Sequence, residues 1–164
     1  MSRPIPEYTV AGLERLNAIE FVSMTNDDAV ALGLKAVEVI RDWDLSLAVD
    51  IVVGGDLVFR AKLKGTGPGN DPWLAGKAAT VNHFGEPSLL VKARHLEAGT
   101  SFEDEDVDHE LLKAHGGSIP LRVSGQIVGT LTMSGEPDAT DHEAAVEAIE
   151  RYLGVADEDG RHED

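Results

Sequence analysis

Three residues in the first half of the chain, Arg60, Trp73 and Lys77, have the types that bind an anion. Two cations would face a carboxylate or similar group, and the indole would form a flat wall beside it. A helix predicted to start at residues 71–73 would add the partial positive charge of its free backbone amides. We therefore predict a candidate site for a small organic anion at these residues.

The glycine-rich loop that precedes this helix, residues 65–69, allows a ligand to approach the backbone closely. Its spacing matches neither the nucleotide-phosphate loop nor the dinucleotide fingerprint. A structural alternative is that Arg60 and Lys77 pair with acids such as Asp50 or Glu86. The excess of 30 acidic over 14 basic residues favours this alternative for any one base.

Other reaction classes have little support in the sequence. The chain has no cysteine, which excludes disulfides, thiolate zinc sites, iron–sulfur clusters and thiol catalysis. Ser88, Ser118 and Ser134 do not lie in the glycine-flanked elbow of a hydrolase. The acidic run at residues 103–110 lacks the ligand spacing of a calcium loop, and we interpret it as a solvated surface.

The composition of the chain limits the kinds of partner that the protein can bind. A net charge of −16 argues against nucleic acid, because a phosphate backbone requires a basic surface. No apolar run reaches the length of a membrane span, and the first residues lack a signal-peptide core. We therefore expect a cytoplasmic protein with neither a nucleic-acid nor a membrane partner.

Hydrophobic periodicity predicts alternating helices and strands. In the first half we expect a short helix at residues 10–16, a strand at 19–23, a helix from the Thr25 cap to about Trp43, a hairpin at 47–63 and a helix from 71 to about 84. Residues 88–93 fit either a strand or a helix. In the second half we expect a helix from Ser101 ended by Gly116, strands at 119–124 and 127–134, and a helix capped by Thr140 and closed by Gly154.

These elements indicate an α+β fold with a five-stranded antiparallel sheet flanked by helices. At 164 residues the chain suits one domain. We predict an N-terminal extension or short helix over residues 1–16, the domain over 17–154, and a disordered acidic tail over 155–164.

Several motifs together resemble the HbpS/GlcG-like haem-degrading domain family, most closely its less characterised cytoplasmic branch. The motifs are the loop at residues 65–73, the segment Lys77-Ala78-Ala79-Thr80-Val81, and the Gly116-Gly117-Ser118 start of a hairpin with Ser-Gly at 124–125 and again at 134–135. The resemblance covers about residues 17–154. It implies a profilin-like topology, haem as cofactor, haem binding with degradation by some members, and assembly into a homo-oligomer.

A haem site needs an apolar slot, usually an axial ligand, and cations for the propionates. If the resemblance extends to haem, His83 and His115 are the candidate ligands, and Arg60, Trp73 and Lys77 would complete the site. The alternative for each histidine is that it complements the dipole at the end of a helix. A non-enzymatic homo-oligomeric or small-anion-binding module is the alternative function.

Overall fold

The structure, a computed structural model, describes residues 8–154. Residues 1–7 and the predicted acidic tail at 155–164 lie outside the described residues. In this range the helices are α1 (Val10–Glu14), α2 (Asn26–Asp42), α3 (Asp71–Phe84), α4 (Ser88–Ala98) and α5 (Asp138–Leu153), and the strands are β1 (Ala48–Val53), β2 (Asp56–Lys62), β3 (Ser118–Val123) and β4 (Gln126–Ser134). Short 3-10 turns occupy Arg15–Ala18, Pro68–Asn70 and Phe102–Asp104.

The four strands form one antiparallel sheet in the order β2-β1-β4-β3. The α+β class and the antiparallel pairing are confirmed, but the prediction of five strands is wrong. The segment predicted as the fifth makes one parallel bridge, Phe21 to Val123, with the Phe21 amide donating to the Arg122 carbonyl at 2.8 Å. The other residues between the 3-10 turn at Arg15–Ala18 and α2 form no strand.

Helices cover the two faces of the sheet differently. Alternate residues of β1, β3 and β4, such as Val49, Ile119 and Leu131, are buried in one core with α2 and α5. The opposite face is polar where α3 crosses β3 and β4, and there the hydroxyls of Ser118 and Thr132 lie 2.8 Å apart. The sheet therefore has an apolar side that stabilises the fold and a polar side that ends in a recess.

Local sequence signals explain most helix boundaries. Thr25 and Asp28 form the reciprocal capping box at the start of α2, and Gly154 closes α5 in the left-handed conformation. The ambiguous segment at 88–93 is helical and belongs to α4. Helix α5 begins after Pro137, three residues before the predicted cap Thr140, because proline pre-sets the backbone for a helix start.

The predicted helix after Ser101 is wrong. Ser101 and Asp104 do form a capping box, but it opens only the 3-10 turn. Asp108 then accepts a hydrogen bond from the Glu110 amide at 3.0 Å, a local alternative to helical bonding. Leu111 is 62% exposed, so it does not contribute to an apolar face that could drive helix formation here.

None of the helices in residues 8–154 combines the length and the apolar character that crossing a bilayer demands.

Candidate functional site

A recess of about 460 Å³ opens where β4 ends and where α3 and α5 begin. Its volume lies in the range of small-molecule and cofactor sites. The lining residues come from four segments: the loop before α3 and its first two turns, the segment ahead of β3, the end of β4 with the residues after it, and the start of α5. They are Gly69, Asn70, Trp73, Lys77, His115, Ser134, Gly135, Glu136, Asp138 and Asp141.

Trp73 and Lys77 reach the recess from the same face of α3, because residues four apart are neighbours on a helix. The indole is 43% exposed and forms one wall. The Lys77 side chain is buried, and its Nζ donates to the Met133 carbonyl and to Oδ2 of Asp141, at 2.9 Å each. Lys77 is therefore committed to an internal ion pair, as the structural alternative held, although its partner is Asp141.

His115 lies in the segment that leads into β3, next to Gly116 and Gly117. Its half-exposed ring meets the edge of Trp73 with the two centroids 5.7 Å apart. The Nδ1 atom is 3.7 Å from Oδ2 of Asp138. Because no helix ends at His115, the helix-dipole interpretation of this residue is wrong, and its imidazole stands at the mouth of the recess.

Two carboxylates from the first turn of α5 have different environments. The neighbouring His115 ring, followed by hydrogen bonds from Lys92 and the Gly116 amide, holds the pKa of Asp138 well below its usual range against the effect of partial burial. Burial raises the pKa of Asp141 to about 6, although Lys77 and the backbone amides of Glu136 and Gly135 pull it down. At neutral pH both carboxylates are ionised.

Arg60 and His83, the two other predicted site residues, do not line the recess. Arg60 extends from β2 to Asp50 at 2.8 Å, its partner in strand register, with Asp71 at 3.6 Å. The Arg60 pairing with Asp50 agrees with the structural alternative. The anion site of Arg60, Trp73 and Lys77 is therefore not assembled within the described residues.

His83 lies in the last turn of α3, ten residues beyond Trp73. At 1.5 Å per residue this places it about 15 Å along the helix from the indole. Its ring contacts Phe84, with 4.7 Å between the centroids. The position at a helix C-terminus fits the dipole interpretation of this histidine.

Sequence reasoning missed the acidic side of the recess. The sequence does not distinguish Glu136, Asp138 or Asp141 from other acids near a helix start. The Asp141 carboxylate accepts from the Glu136 amide at 2.9 Å, but its main partner is a lysine from a distant helix. No metal-binding group of three or more histidines and acids occurs in residues 8–154.

Comparison with known proteins identifies the family of this chain. The model of the family described as "Haem degrading protein HbpS-like" matches residues 24–150, most of the domain. The chain belongs to this family. The resemblance inferred from the sequence motifs is thereby confirmed.

Proteins with similar sequences include a UPF0303 protein of Streptomyces coelicolor, 43% identical over 149 residues that cover 89% of this chain and 94% of that protein. A UPF0303 protein of Paraburkholderia xenovorans is 32% identical over 140 residues, covering 84% of this chain and 85% of that one.

Solved structures show that the fold is shared. The Ybr137w protein superposes with a TM-score of 0.80 at 24% identity, covering 91% of this chain and 90% of its own. HbpS superposes with a TM-score of 0.64 at 21% sequence identity, covering 83% of this chain and 94% of its own. A complex described as PduOC with heme superposes with a TM-score of 0.65 at 21% sequence identity, covering 78% of this chain and 94% of its own. At these identities the superpositions establish the common fold.

Proposed function

We propose that this HbpS-like protein binds haem at the recess, with His115 as the axial ligand. The observation that carries the proposal is the His115 ring, half-exposed at the recess mouth with Nδ1 turned toward the Asp138 carboxylate. Histidines that ligate metals typically present one ring nitrogen to a carboxylate or carbonyl and the other to the metal. Membership of a family named for haem degradation supports the same ligand.

An open site at this recess offers haem an axial ligand, an aromatic surface and a nearby cation, and Trp73 is the one large apolar side chain among the described lining residues. His115 supplies the ligand atom and Trp73 an aromatic surface for the macrocycle. Lys113, whose ammonium lies 5.7 Å from the Trp73 ring centroid and donates to the His109 carbonyl at 2.9 Å, is a cation close to this wall that would pair with a propionate. Lys77 is less suited to that role because its ammonium already bonds Asp141 and a carbonyl.

Charge favours haem over a small organic anion. Glu136, Asp138 and Asp141 border the recess, against one lysine among its lining residues. A small carboxylate would lie wholly among these acids and be repelled by them. Haem carries its two propionates at one edge of an apolar macrocycle, so its charges have room to lie outside the acidic side.

Each side chain has a separate task in this proposal. His115 binds the iron, Trp73 packs on the porphyrin, and Asp138 orients the imidazole. The buried Lys77–Asp141 pair fixes α3 against α5 and so holds the walls of the recess at a fixed separation. Bound haem would supply the redox and oxygen chemistry, which belongs to the cofactor. Degradation of that haem is the enzymatic activity we propose on the family description.

A hemin titration followed by the Soret band tests binding. We expect a saturable shift at one hemin per chain in the wild type and its loss in His115→Ala. His83→Ala is the matched control, because it removes an exposed histidine outside the recess and should bind like the wild type. An unshifted Soret band in the wild type, or equal binding by His115→Ala, contradicts the proposal. Decay of the band on adding a reductant under oxygen then tests degradation.

We propose self-association as a second function. Strand β2 is an edge of the sheet, and exposed apolar side chains flank it: Leu57 on the strand and Val30 and Leu34 on α2. An exposed edge with apolar neighbours favours pairing with another chain. Light scattering should report a multimer that Leu34→Glu with Leu57→Glu weakens, whereas a wild-type monomer contradicts this function.

A further inference from the structure

The Asp138 carboxylate gathers donors from three directions at a single oxygen. Lys92 of α4 donates its Nζ to Oδ2 at 2.8 Å, and the Gly116 amide donates to the same atom at 3.1 Å. His115 Nδ1 lies 3.7 Å away. The first two donors come from other elements, so they hold the carboxylate in place whatever the imidazole does.

An ionised carboxylate accepts hydrogen bonds and cannot donate one. A neutral imidazole has a proton on one nitrogen and a lone pair on the other, and the lone pair would be repelled by Oδ2. The proton of His115 is therefore favoured on Nδ1, and the lone pair on Nε2. In residues 8–154 no group hydrogen-bonds to Nε2 of His115, which leaves that lone pair available.

We propose that Asp138 is a positioning residue that fixes the Nδ1–H tautomer of His115 and presents Nε2 to a ligand in the recess. This inference rests on the proposed function for its consequence, haem ligation, but the tautomer itself is a property of the ligand-free protein. The 3.7 Å separation is longer than a hydrogen bond, and contacts of this kind often shorten when a ligand arrives.

A change at Lys92 distinguishes a positioning role of Asp138 from a purely structural one. It shares Oδ2 with His115 and holds the carboxylate, but it does not touch the imidazole through any described contact. If Asp138 only joined α4 to α5, loss of Lys92 and loss of the Asp138 charge would have similar effects. If Asp138 sets the tautomer, only the change at Asp138 alters the state of the His115 ring.

The test is long-range proton–nitrogen NMR on ligand-free protein with labelled histidine, at a pH where His115 is neutral, with His115→Ala to assign the signal. We expect Nδ1–H to dominate in the wild type and in Lys92→Met. Asparagine would keep an oxygen at this position, because Lys92 and the Gly116 amide both need an acceptor there, so the informative change is Asp138→Leu. In Asp138→Leu no acceptor faces Nδ1, so we expect the preference for Nδ1–H to be lost and the Nε2–H form to rise. Hemin affinity should fall about 10- to 100-fold in Asp138→Leu, the usual effect of losing such a partner.

The outcomes separate the two proposals. A wild-type protein with mainly Nε2–H overturns the positioning role, and this measurement is possible even if Asp138→Leu does not fold. An unchanged tautomer and unchanged hemin affinity in a folded Asp138→Leu overturn it as well. Nδ1–H in a wild type that binds no hemin supports the positioning role while removing the proposed function.

Discussion

Lys77 and Asp141 form a buried ion pair that joins α3 to α5, with Nζ 2.9 Å from Oδ2 and the two side chains 4% and 1% exposed. The remaining hydrogen bonds of the pair go to backbone groups: Lys77 to the Met133 carbonyl, and Asp141 to the Glu136 amide. One ion pair therefore ties two helices and the end of β4 together behind the recess.

Removing Lys77 should destabilise the protein by an amount that grows with pH. In Lys77→Met the Asp141 carboxylate loses its cation, so its pKa rises further above the wild-type value of about 6. Because the folded mutant then holds a proton that the wild type releases, the difference in unfolding free energy increases above pH 6 by about 1.4 kcal/mol per pH unit until the mutant pKa is reached. We expect a cost on the order of 3 kcal/mol at pH 8 and a smaller one at pH 5.

Urea unfolding at the two pH values measures this difference. Lys62→Met is the matched control, since Lys62 pairs with the half-exposed Asp71 at 2.8 Å, and its loss should cost under about 1 kcal/mol at both pH values. An equal cost for Lys77→Met at pH 5 and pH 8 contradicts the prediction.

His142 should make the fold sensitive to acid. Its ring is 1% exposed, and burial lowers its pKa to about 3, so the folded protein holds it neutral. The unfolded chain binds a proton near pH 6.5, and stability is therefore lost as pH falls from about 6.5 to about 3. The loss is on the order of 5 kcal/mol from this group alone.

Comparing the pH profiles of wild type and His142→Phe isolates this contribution. Asp141, whose raised pKa acts in the opposite sense between about 4 and 6, is present in both proteins. We expect the unfolding free energy of His142→Phe to fall less steeply on acidification, while His83→Ala follows the wild type. Parallel profiles for His142→Phe and wild type would mean that His142 is accessible to protons in the fold.

The sequence predicts the elements more reliably than the site. Helix α2 and both hairpins follow from a capping box, from alternation of apolar residues and from glycine turns, which are local signals. Trp73 and Lys77 were singled out by residue type, and both line the recess because they lie four residues apart on one helix. His115 lies beside them because of the order of the strands in the sheet, which is not a local signal. The role of the predicted site residues in binding haem remains a prediction.

The acidic side of the recess was missed for a physical reason. Acids at a helix start are ordinary complements of the dipole, and the pattern is the same whether they face water or a buried lysine. Asp138 and Asp141 look alike in sequence, yet one is partly exposed and the other buried. The two acids differ in how they pack against α3 and α4, and a local sequence pattern carries no information about that packing.

Neutralising Glu136 should strengthen hemin binding. Its carboxylate borders the recess and accepts from the Ser46 amide at 2.9 Å, a bond that glutamine can keep. Removing a negative charge beside a ligand that carries propionates lowers repulsion, and we expect affinity to rise about threefold at low salt and less at high salt. Glu20→Gln is the control, because Glu20 binds Gly125 at the other end of β4. Weaker hemin binding by Glu136→Gln would place the propionates elsewhere.

Gly116 should tolerate no side chain, for a reason other than the helix cap predicted from sequence. A Cβ there would lie 2.4 Å from the Asp138 carbonyl oxygen and 3.2 Å from Cβ of His142. The positive φ of 138° belongs to the next residue, Gly117. The close approach lets the Gly116 amide reach the Asp138 carboxylate and sets His115 beside it. Backbone cannot yield as a flexible side chain does, so we expect Gly116→Ala to cost on the order of 3 kcal/mol in urea unfolding.

Gly67→Ala is the matched control for this change, since its Cβ would meet no atom within 4 Å and its φ of −165° is extended backbone. Its unfolding free energy should stay within about 0.5 kcal/mol of wild type. Because Gly116 holds the backbone of His115 against α5, the alanine variant should also disturb the His115 ring in the histidine NMR spectrum. A Gly116→Ala protein with wild-type stability and an unchanged His115 signal would show that the chain ahead of β3 can move away from α5, and that His115 is not fixed by this contact.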